Sequence, residues 1–413
     1  MSDLNATPTA SRVAIGLFGR RNAGKSSLLN AITGQQIAVT SEIAGTTTDP
    51  VFKSMELLPI GPVVLIDTAG LDDEGELGTL RVEKTYEALR KCHLAVVVCD
   101  AKDGITDEET ALIGELRRRK IPCVGVLNKS DTAQLTDEDL ARISKQAGIP
   151  MVCASTTTGE GIGEVKQLII DNARFAEDDP SLVEGLVKAG DIAVLVTPID
   201  TGAPKGRMIL PQQQTIRDVL EKDCIAVVAK ESELTLTLER LGAPPAVVIT
   251  DSQAFARVSA ETPEDVPLTS FSILFARQKC DLAEMVRGAR RVNTLKAGDR
   301  VLIVEGCTHH RQKDDIGTVK LPRWITGIAG SGIAFEWASG AHYPRNIADY
   351  ALIVHCGGCM LNRNEMRYRV KTAREAGVCI TNYGVLIAHV LGILPRAVKP
   401  FAEASRMLTE HIL

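Results

Sequence analysis

An octapeptide near the start of the chain, Gly19-Arg20-Arg21-Asn22-Ala23-Gly24-Lys25-Ser26, fits the spacing G-x-x-x-x-G-K-S. It follows an apolar run at 13–18 and precedes a helical pattern, the context in which such a loop cradles phosphate. Glycines let the backbone curl, so that N–H groups from Gly19, Asn22, Ala23, Gly24, Lys25, Ser26 and Ser27 can face phosphate oxygens at a helix N-terminus. Lys25 would set a positive charge on the β- and γ-phosphates, and Ser26 would offer a hydroxyl to Mg2+. Two further motifs close later apolar runs. In Asp67-Thr68-Ala69-Gly70 the carboxylate would reach Mg2+ through water, and the unhindered Gly70 N–H would meet the γ-phosphate. In Asn128-Lys129-Ser130-Asp131 the last carboxylate can accept two hydrogen bonds from the N1–H and N2–H2 edge of guanine, which adenine does not supply. Leaving that carboxylate buried and unpaired would cost a few kcal/mol, so the expected nucleotide is GTP. Cys153-Ala154-Ser155 is expected to complete the base pocket, with the Ser155 backbone N–H at guanine O6.

A second constellation lies far downstream. Glu305-Gly306-Cys307-Thr308-His309-His310 and His355-Cys356-Gly357-Gly358-Cys359 each follow a buried apolar run. Soft and borderline ligands at two strand ends can converge on one ion or cluster, and C-x-x-C gives the two-thiolate grip shared by zinc and iron-sulfur sites. Spacing alone leaves both open: a tetrahedral zinc of three cysteines and one histidine, or a cluster on the thiolates of Cys307, Cys356 and Cys359. The other seven cysteines, Cys92, Cys99, Cys123, Cys153, Cys224, Cys280 and Cys379, mostly lie in apolar runs and read as small buried hydrophobes. Trp324 and Trp337 read as core. Arg367, Arg369, Lys371 and Arg374, on a helical pattern just after the cysteines, could balance an anionic group but read first as a solvated basic face.

These groups need a frame. Apolar runs at 13–18, 63–66, 94–99, 123–127 and 151–154 alternate with helical patterns, which argues for parallel strands covered by helices. A helical stretch at 161–175 ends in Glu177-Asp178-Asp179-Pro180, where the first domain should stop. Strands at 192–197, 225–229 and 246–249 with helices at 213–222 and 233–241 make a small α/β unit. After a Pro-containing stretch at 262–267, strands at 300–305 and 350–355 belong to a third. The expected architecture is α/β throughout, as three consecutive α/β domains at 1–177, 178–267 and 268–413. The 413 residues are 45% hydrophobic and 24% charged with a net charge of -5, an ordinary globular composition without a basic footprint for nucleic acid or anionic membrane. The longest apolar stretch, 385–394, contains His389 and is too short to span a bilayer. Residues 1–12 lack the pattern of a secretory signal, so a soluble, cytoplasmic protein is expected.

With its three nucleotide motifs the chain resembles the TrmE-Era branch of the translation-factor-related GTPases, because Gly45-Thr46-Thr47-Thr48-Asp49 is similar to that branch's G-T-T-x-D switch. The resemblance implies a Ras-like P-loop fold for the first domain, Thr47 as a Mg2+ ligand, and Asn22 as a ligand of a stimulating K+. Leu71 stands where Ras-like enzymes carry a water-orienting Gln, which implies slow turnover serving a switch, and Asp72, Asp73 and Glu74 read as a solvated acidic loop. The pattern C-x-H, then 45 residues, then H-C-x-x-C, downstream of such a domain, resembles the HydF family of FeFe-hydrogenase maturation GTPases. The middle segment from Pro198-Ile199-Asp200 through Pro204-Lys205-Gly206-Arg207 to Thr215-Ile216-Arg217 is similar to that family as well. What this implies is a homodimeric scaffold or carrier. It would hold a 4Fe-4S cluster on Cys307, Cys356 and Cys359 and pass a di-iron precursor to apo FeFe hydrogenase, with radical-SAM maturases as further partners. His309 and His355 are candidates for the fourth, exchangeable position, with Glu305 and water as alternatives. A zinc-stapled regulatory GTPase and a TrmE-like RNA-modification GTPase are the competing readings, the latter without the basic appendage it would need.

Overall fold

The computed structural model describes residues 12–34, 50–68, 70, 85, 87–133, 135–173, 180–199, 208–306, 315–340, 343–344 and 346–410. The chain forms two compact units, residues 1–178 and 179–413. Thr47, Leu71, Asp72, Asp73, Glu74, Cys307 and His309 lie outside the described residues.

In the first unit, β1 (Val13–Phe18), β2 (Val51–Leu57), β3 (Gly61–Asp67), β4 (Leu94–Asp100), β5 (Cys123–Asn128) and β6 (Met151–Ala154) form one sheet in the order β2-β3-β1-β4-β5-β6. The fully buried runs of β1 and most of β4 sit at its centre because helices cover both faces. One apolar layer joins Ile15 and Leu65 to Leu28, Ile32, Val165 and Ile169; the other joins Phe18 and Val97 to Leu112, Leu116 and Ile143. Five strands follow the apolar runs of the sequence. β2 does not: it pairs antiparallel with β3 at the sheet edge, leaving Val51 and Phe52 exposed, and an edge strand lacks the continuous apolar signal of a buried one. The helix Asp137–Ala147 starts at Thr136, whose hydroxyl accepts from the Asp139 N–H (3.2 Å) while the Thr136 N–H donates to Asp139 Oδ2 (3.2 Å). Such reciprocal caps satisfy two otherwise orphaned donors.

The second unit holds two four-stranded parallel sheets. β7 (Ile192–Val196), β8 (Ile225–Ala229), β9 (Val247–Thr250) and β10 (Leu268–Ser270) run in the order β10-β9-β7-β8. Residue 268, expected to open the third domain, instead begins β10 and belongs to this sheet. β11 (Arg300–Glu305), β12 (Ala334–Ser339), β13 (Leu352–His355) and β14 (Cys379–Asn382) run in the order β12-β11-β13-β14. A single apolar core spans both sheets, from Val194 and Ile249 through Phe271 and Leu274 to Ile303 and Ile353. Trp324 is partly buried against that core, whereas Trp337, expected inside, is 43% exposed on the edge strand β12, its indole N–H donating to the Gly317 carbonyl (3.1 Å). Among the described residues no helix is long and apolar enough to cross a membrane.

The helix Leu282–Arg290 lies against β14 so closely that a Cβ on Gly288 would sit 1.9 Å from the Ile380 carbonyl oxygen. Ala has the better helix propensity by about 1 kcal/mol, but a backbone oxygen cannot rotate away as a side chain can. The clash should win. Gly288→Ala is expected to lose about 1–3 kcal/mol of stability, seen as a lower urea midpoint at unchanged slope.

Candidate nucleotide and metal sites

β1 delivers the chain into the phosphate loop at Gly19, where the backbone (φ 147°) passes so close to β4 that a Cβ would meet the Val98 carbonyl oxygen at 2.1 Å. The loop ends at Gly24 (φ 90°), where a Cβ would strike Asn128 Nδ2 at 2.1 Å, and the helix Lys25–Thr33 begins immediately. Asn128, at the end of β5, donates from Nδ2 to the Ala23 carbonyl (2.9 Å), tying the N-K-x-D motif to the loop. Asn22 sits exposed at the lip with φ 61°, a conformation Asn tolerates. Lys25 is buried, its Nζ donating to the carbonyls of Gly19 (2.9 Å) and Arg20 (2.8 Å).

Ser26 and Asp67 meet directly, the Ser26 hydroxyl donating to Asp67 Oδ2 at 2.5 Å. The other carboxylate oxygen, Oδ1, is buried without a hydrogen-bond partner, and burial raises the Asp67 pKa against the lowering pull of Ser26 and Lys25. A buried carboxylate with one orphaned oxygen beside a hydroxyl is a donor set that suits Mg2+. A cleft of about 550 Å3 opens over these groups, lined among others by Asn22, Ser26, Ser27, Asp67, Gly70 and Lys129. Lys129 takes a left-handed conformation (φ 63°) and pairs with Asp100 at 2.8 Å.

At the base end the structure redistributes the expected roles. Ser155 donates its backbone N–H to the Glu160 carbonyl (2.9 Å), so that group is spent, and its hydroxyl donates to Asp131 Oδ1 (2.5 Å). Ser155 therefore orients the Asp131 carboxylate. Ala154 is a fully buried strand end within the apolar layer. Thr156 and Thr157 are the residues of this turn that line the cleft. A strand-end tripeptide does not reveal which amide the following turn consumes.

In the second unit, β11 and β13 are neighbours in register, Val304 opposite His355, so both strands leave the sheet at one place, at Gly306 and Cys356. The Cys356 N–H donates to the Val304 carbonyl (2.8 Å), and the Gly306 N–H donates to Cys356 Sγ (3.1 Å). A second amide, that of Gly358, also donates to this sulfur (3.4 Å). Two N–H groups aimed at one sulfur suit a thiolate, and such bonds tune clusters held by cysteine. Cys359 is partly exposed on the turn that follows. Among the described residues no group of three or more His, Cys, Asp or Glu is gathered as a metal site.

His355 is fully buried with both ring nitrogens engaged: Nδ1 lies 2.8 Å from the Cys356 carbonyl and Nε2 3.0 Å from Arg369 Nη1. An Arg can only donate, so Nε2 accepts and Nδ1 carries the proton. Burial, reinforced by the Arg369 charge, pushes its pKa down to about 3. This geometry turns His355 away from the ligand role the sequence allowed it. Glu305 is buried at the end of β11, with the Tyr383 hydroxyl 3.5 Å from Oε1. The basic helix is Arg363–Glu375; Arg367, Lys371 and Arg374 are exposed as expected, but Arg369 is fully buried. It pairs with Glu365 (2.9 Å), donates to the Gly340 carbonyl (3.1 Å) and stacks its guanidinium over Tyr343 (5.2 Å). Lys279, which sequence reasoning did not single out, reaches the cysteine loop from another helix, donating to the carbonyls of Gly358 (2.9 Å) and Leu361 (2.8 Å). Among the remaining cysteines, burial pushes the thiols of Cys92, Cys99 and Cys280 up to about 12, as expected of inert core thiols.

Comparison with known proteins separates the two units. Residues 14–129 match a family described as 50S ribosome-binding GTPase, residues 182–280 the hydrogen maturase F dimerization domain, and residues 283–400 the hydrogen maturase F tetramerization domain. The latter two together span more than half of the chain. The chain is 38% identical over 154 residues to the tRNA modification GTPase MnmE of Heliobacterium modesticaldum, covering 37% of this chain and 32% of that one. It is 32% identical over 171 residues to GTPase Der of Sulfurimonas denitrificans, covering 39% and 34%. The chain thus spans about a third of the length of these curated relatives. Among solved structures, the G domain of the FeoB iron transporter of T. maritima is 26% identical, with a TM-score of 0.31 over 39% of this chain and 98% of that one.

If Ser155 orients Asp131, Ser155→Ala should weaken GTP binding about fivefold, the worth of one hydrogen bond of roughly 1 kcal/mol, while phosphate contacts persist. Titration with a fluorescent GTP analogue measures it; an affinity equal to that of the unaltered protein would count against the role.

Proposed function

The chain belongs to the hydrogen maturase F family and, from that premise, we propose that it is a slow GTPase acting in the cytoplasm as scaffold and carrier for the di-iron subcluster of FeFe hydrogenase. It would hold a 4Fe-4S cluster on Cys307, Cys356 and Cys359. The observation that carries this reading is the Gly306–Cys356 contact, which joins the two halves of the cysteine pattern across adjacent strand ends. Three thiolates leave one iron with an exchangeable ligand, and such a corner can accept a bridging cargo where four cysteines would close it. With both nitrogens of His355 engaged, His309 takes the exchangeable position in this proposal, ahead of Glu305 and water. Apo FeFe hydrogenase would receive the cargo and radical-SAM maturases would supply it.

In the nucleotide site, Ser26 and Asp67, with Thr47, would hold Mg2+, which supplies charge neutralisation at the β- and γ-phosphates. Lys25 exchanges its carbonyl partners for phosphate oxygens, Gly70 offers its N–H to the γ-phosphate, and Asp131, held by Ser155, accepts from guanine. Thr156 and Thr157 supply the amide facing guanine O6. Nucleotide state would tune handover and not the cargo's chemistry. Self-association falls to the sheet β7–β10, where the edge strand β8 leaves Ile225 and Val228 exposed with Leu220 and Leu236 nearby in sequence. Such an apolar edge is otherwise a liability.

Anaerobic purification tests the cluster. A brown protein with charge-transfer absorption and an EPR signal on reduction is expected, and a colourless zinc protein would sink the reading. Lys25→Ala should abolish GTP turnover and spare that spectrum, while Cys356→Ser should do the reverse.

Asn22 at the lip of the loop is proposed to bind K+, whose charge can stand in for an arginine against the developing transition state. Turnover should therefore run faster in KCl than in NaCl; equal rates would remove Asn22 from that role.

A further inference from the structure

Lys279 is the last residue of the helix Phe271–Lys279, which springs directly from β10, with the Ser270 side chain accepting from the Ile273 N–H (3.3 Å). A lysine at a helix C-terminus commonly satisfies the helix's own last carbonyls. Lys279 reaches elsewhere. Its side chain is about nine-tenths buried, passes over the Phe275 ring (5.4 Å), and donates to Gly358 and Leu361, 79 and 82 residues away in the chain. Those carbonyls bracket Cys359. The Leu361 N–H also donates to the Gly358 carbonyl (3.0 Å), so residues 358–361 form a closed turn whose two outward carbonyls converge on one ammonium.

A buried ammonium loses several kcal/mol of hydration and is retained where its hydrogen bonds repay that loss. Here they are made to a turn bearing a proposed ligand, from a helix belonging to the other sheet. The Cys356 half of the loop is held by a different device, the chain Glu365–Arg369–His355–Cys356 carbonyl, in which the Glu365 carboxylate offsets the Arg369 charge. The Lys279 ammonium lies directly at the Cys359 turn, on the Gly358 and Leu361 carbonyls. Cluster potentials respond to nearby charge and to the order of the surrounding loop.

We propose that Lys279 is a positioning residue of the cysteine site: it clasps the Cys359 turn in ligating geometry and places a fixed positive charge against it, favouring the reduced, more anionic state of a bound cluster. The charge half rests on the cluster reading above; the clasp half does not. Reduction is by one electron from an external reductant, with no bond to the protein formed or broken.

The test uses the full chain, metal-free and after anaerobic reconstitution with iron and sulfide. In the metal-free protein, Lys279→Met should speed amide hydrogen exchange across 356–361 several-fold, with exchange in β11 and β13 unchanged, and Lys279→Arg should restore slow exchange. Unchanged exchange in Lys279→Met overturns the clasp. In the reconstituted protein, EPR-monitored titration with dithionite should show a more negative midpoint for Lys279→Met and recovery for Lys279→Arg. An unchanged midpoint overturns the charge role. Should Lys279→Met raise exchange throughout the second unit, Lys279→Gln, which keeps a donor and removes the charge, decides: slow turn exchange with a lowered midpoint supports the proposal, and an unaltered midpoint overturns it. An unaltered protein that takes up no cluster counts against the proposed function, and the exchange measurement still judges the clasp.

Discussion

The bond from the Cys356 N–H to the Val304 carbonyl carries the β11–β13 ladder one residue past β13, and much of the second unit's chemistry depends on it. A parallel pair fixes not only which strands adjoin but where each leaves the sheet. Once Val304 and His355 are opposite, Gly306 has nowhere to go except alongside Cys356, and its amide finds the sulfur. Gly306 of the first motif and Cys356 of the second then belong to one neighbourhood although fifty residues separate them in the chain. A slip of one residue would reverse the faces of β13 and bury Cys356 in the core or expose His355.

The nucleotide unit uses the same device. β1, β3 and β5 end on one edge and there deliver Gly19, Asp67 and Asn128. Asn128 binds the Ala23 carbonyl and Ser26 binds Asp67, so the phosphate loop, the D-x-x-G carboxylate and the N-K-x-D motif are joined directly by the protein's own side chains. What stays unsatisfied is informative: Asp67 Oδ1 and Asn128 Oδ1 are buried without partners. Orphaned acceptors of that kind cost about 1–3 kcal/mol each, and a ligand that satisfies them regains it.

Charge inside the second unit follows a stricter rule than charge on its surface. Arg367, Lys371 and Arg374 point to solvent, where an ion pair such as Lys371–Glu375 contributes little. Arg369 and Lys279 are inside, Arg369 held by acceptors at 2.9, 3.0 and 3.1 Å and Lys279 by carbonyls at 2.9 and 2.8 Å. Breaking such a set would leave a buried charge exposed to apolar surroundings, at a cost of about 3–5 kcal/mol. Arg369 ends on the His355 ring where that strand gives way to the loop, and Lys279 ends on the loop's Gly358 and Leu361 carbonyls.

The motifs at Gly19–Ser26, Asp67–Gly70 and Asn128–Asp131, the guanine preference and the continuous apolar strands were legible in the residues, because each rests on local spacing or on a buried strand's unbroken apolar run. The edge strands β2 and β12 and the short β10 and β14 were not, since their weak patterns become strands only by pairing with a neighbour already in place. Nor was the division of labour around each site. That Ser155 spends its amide on Glu160, that His355 turns inward to Arg369, and that Lys279 crosses from one sheet to the other are decided by which donors and acceptors meet at a distance in the chain. Sequence by itself determined the chemistry available to this protein; only the tertiary structure decided which polar groups remain free for a ligand, because a buried donor or acceptor must find its partner wherever the fold has put one.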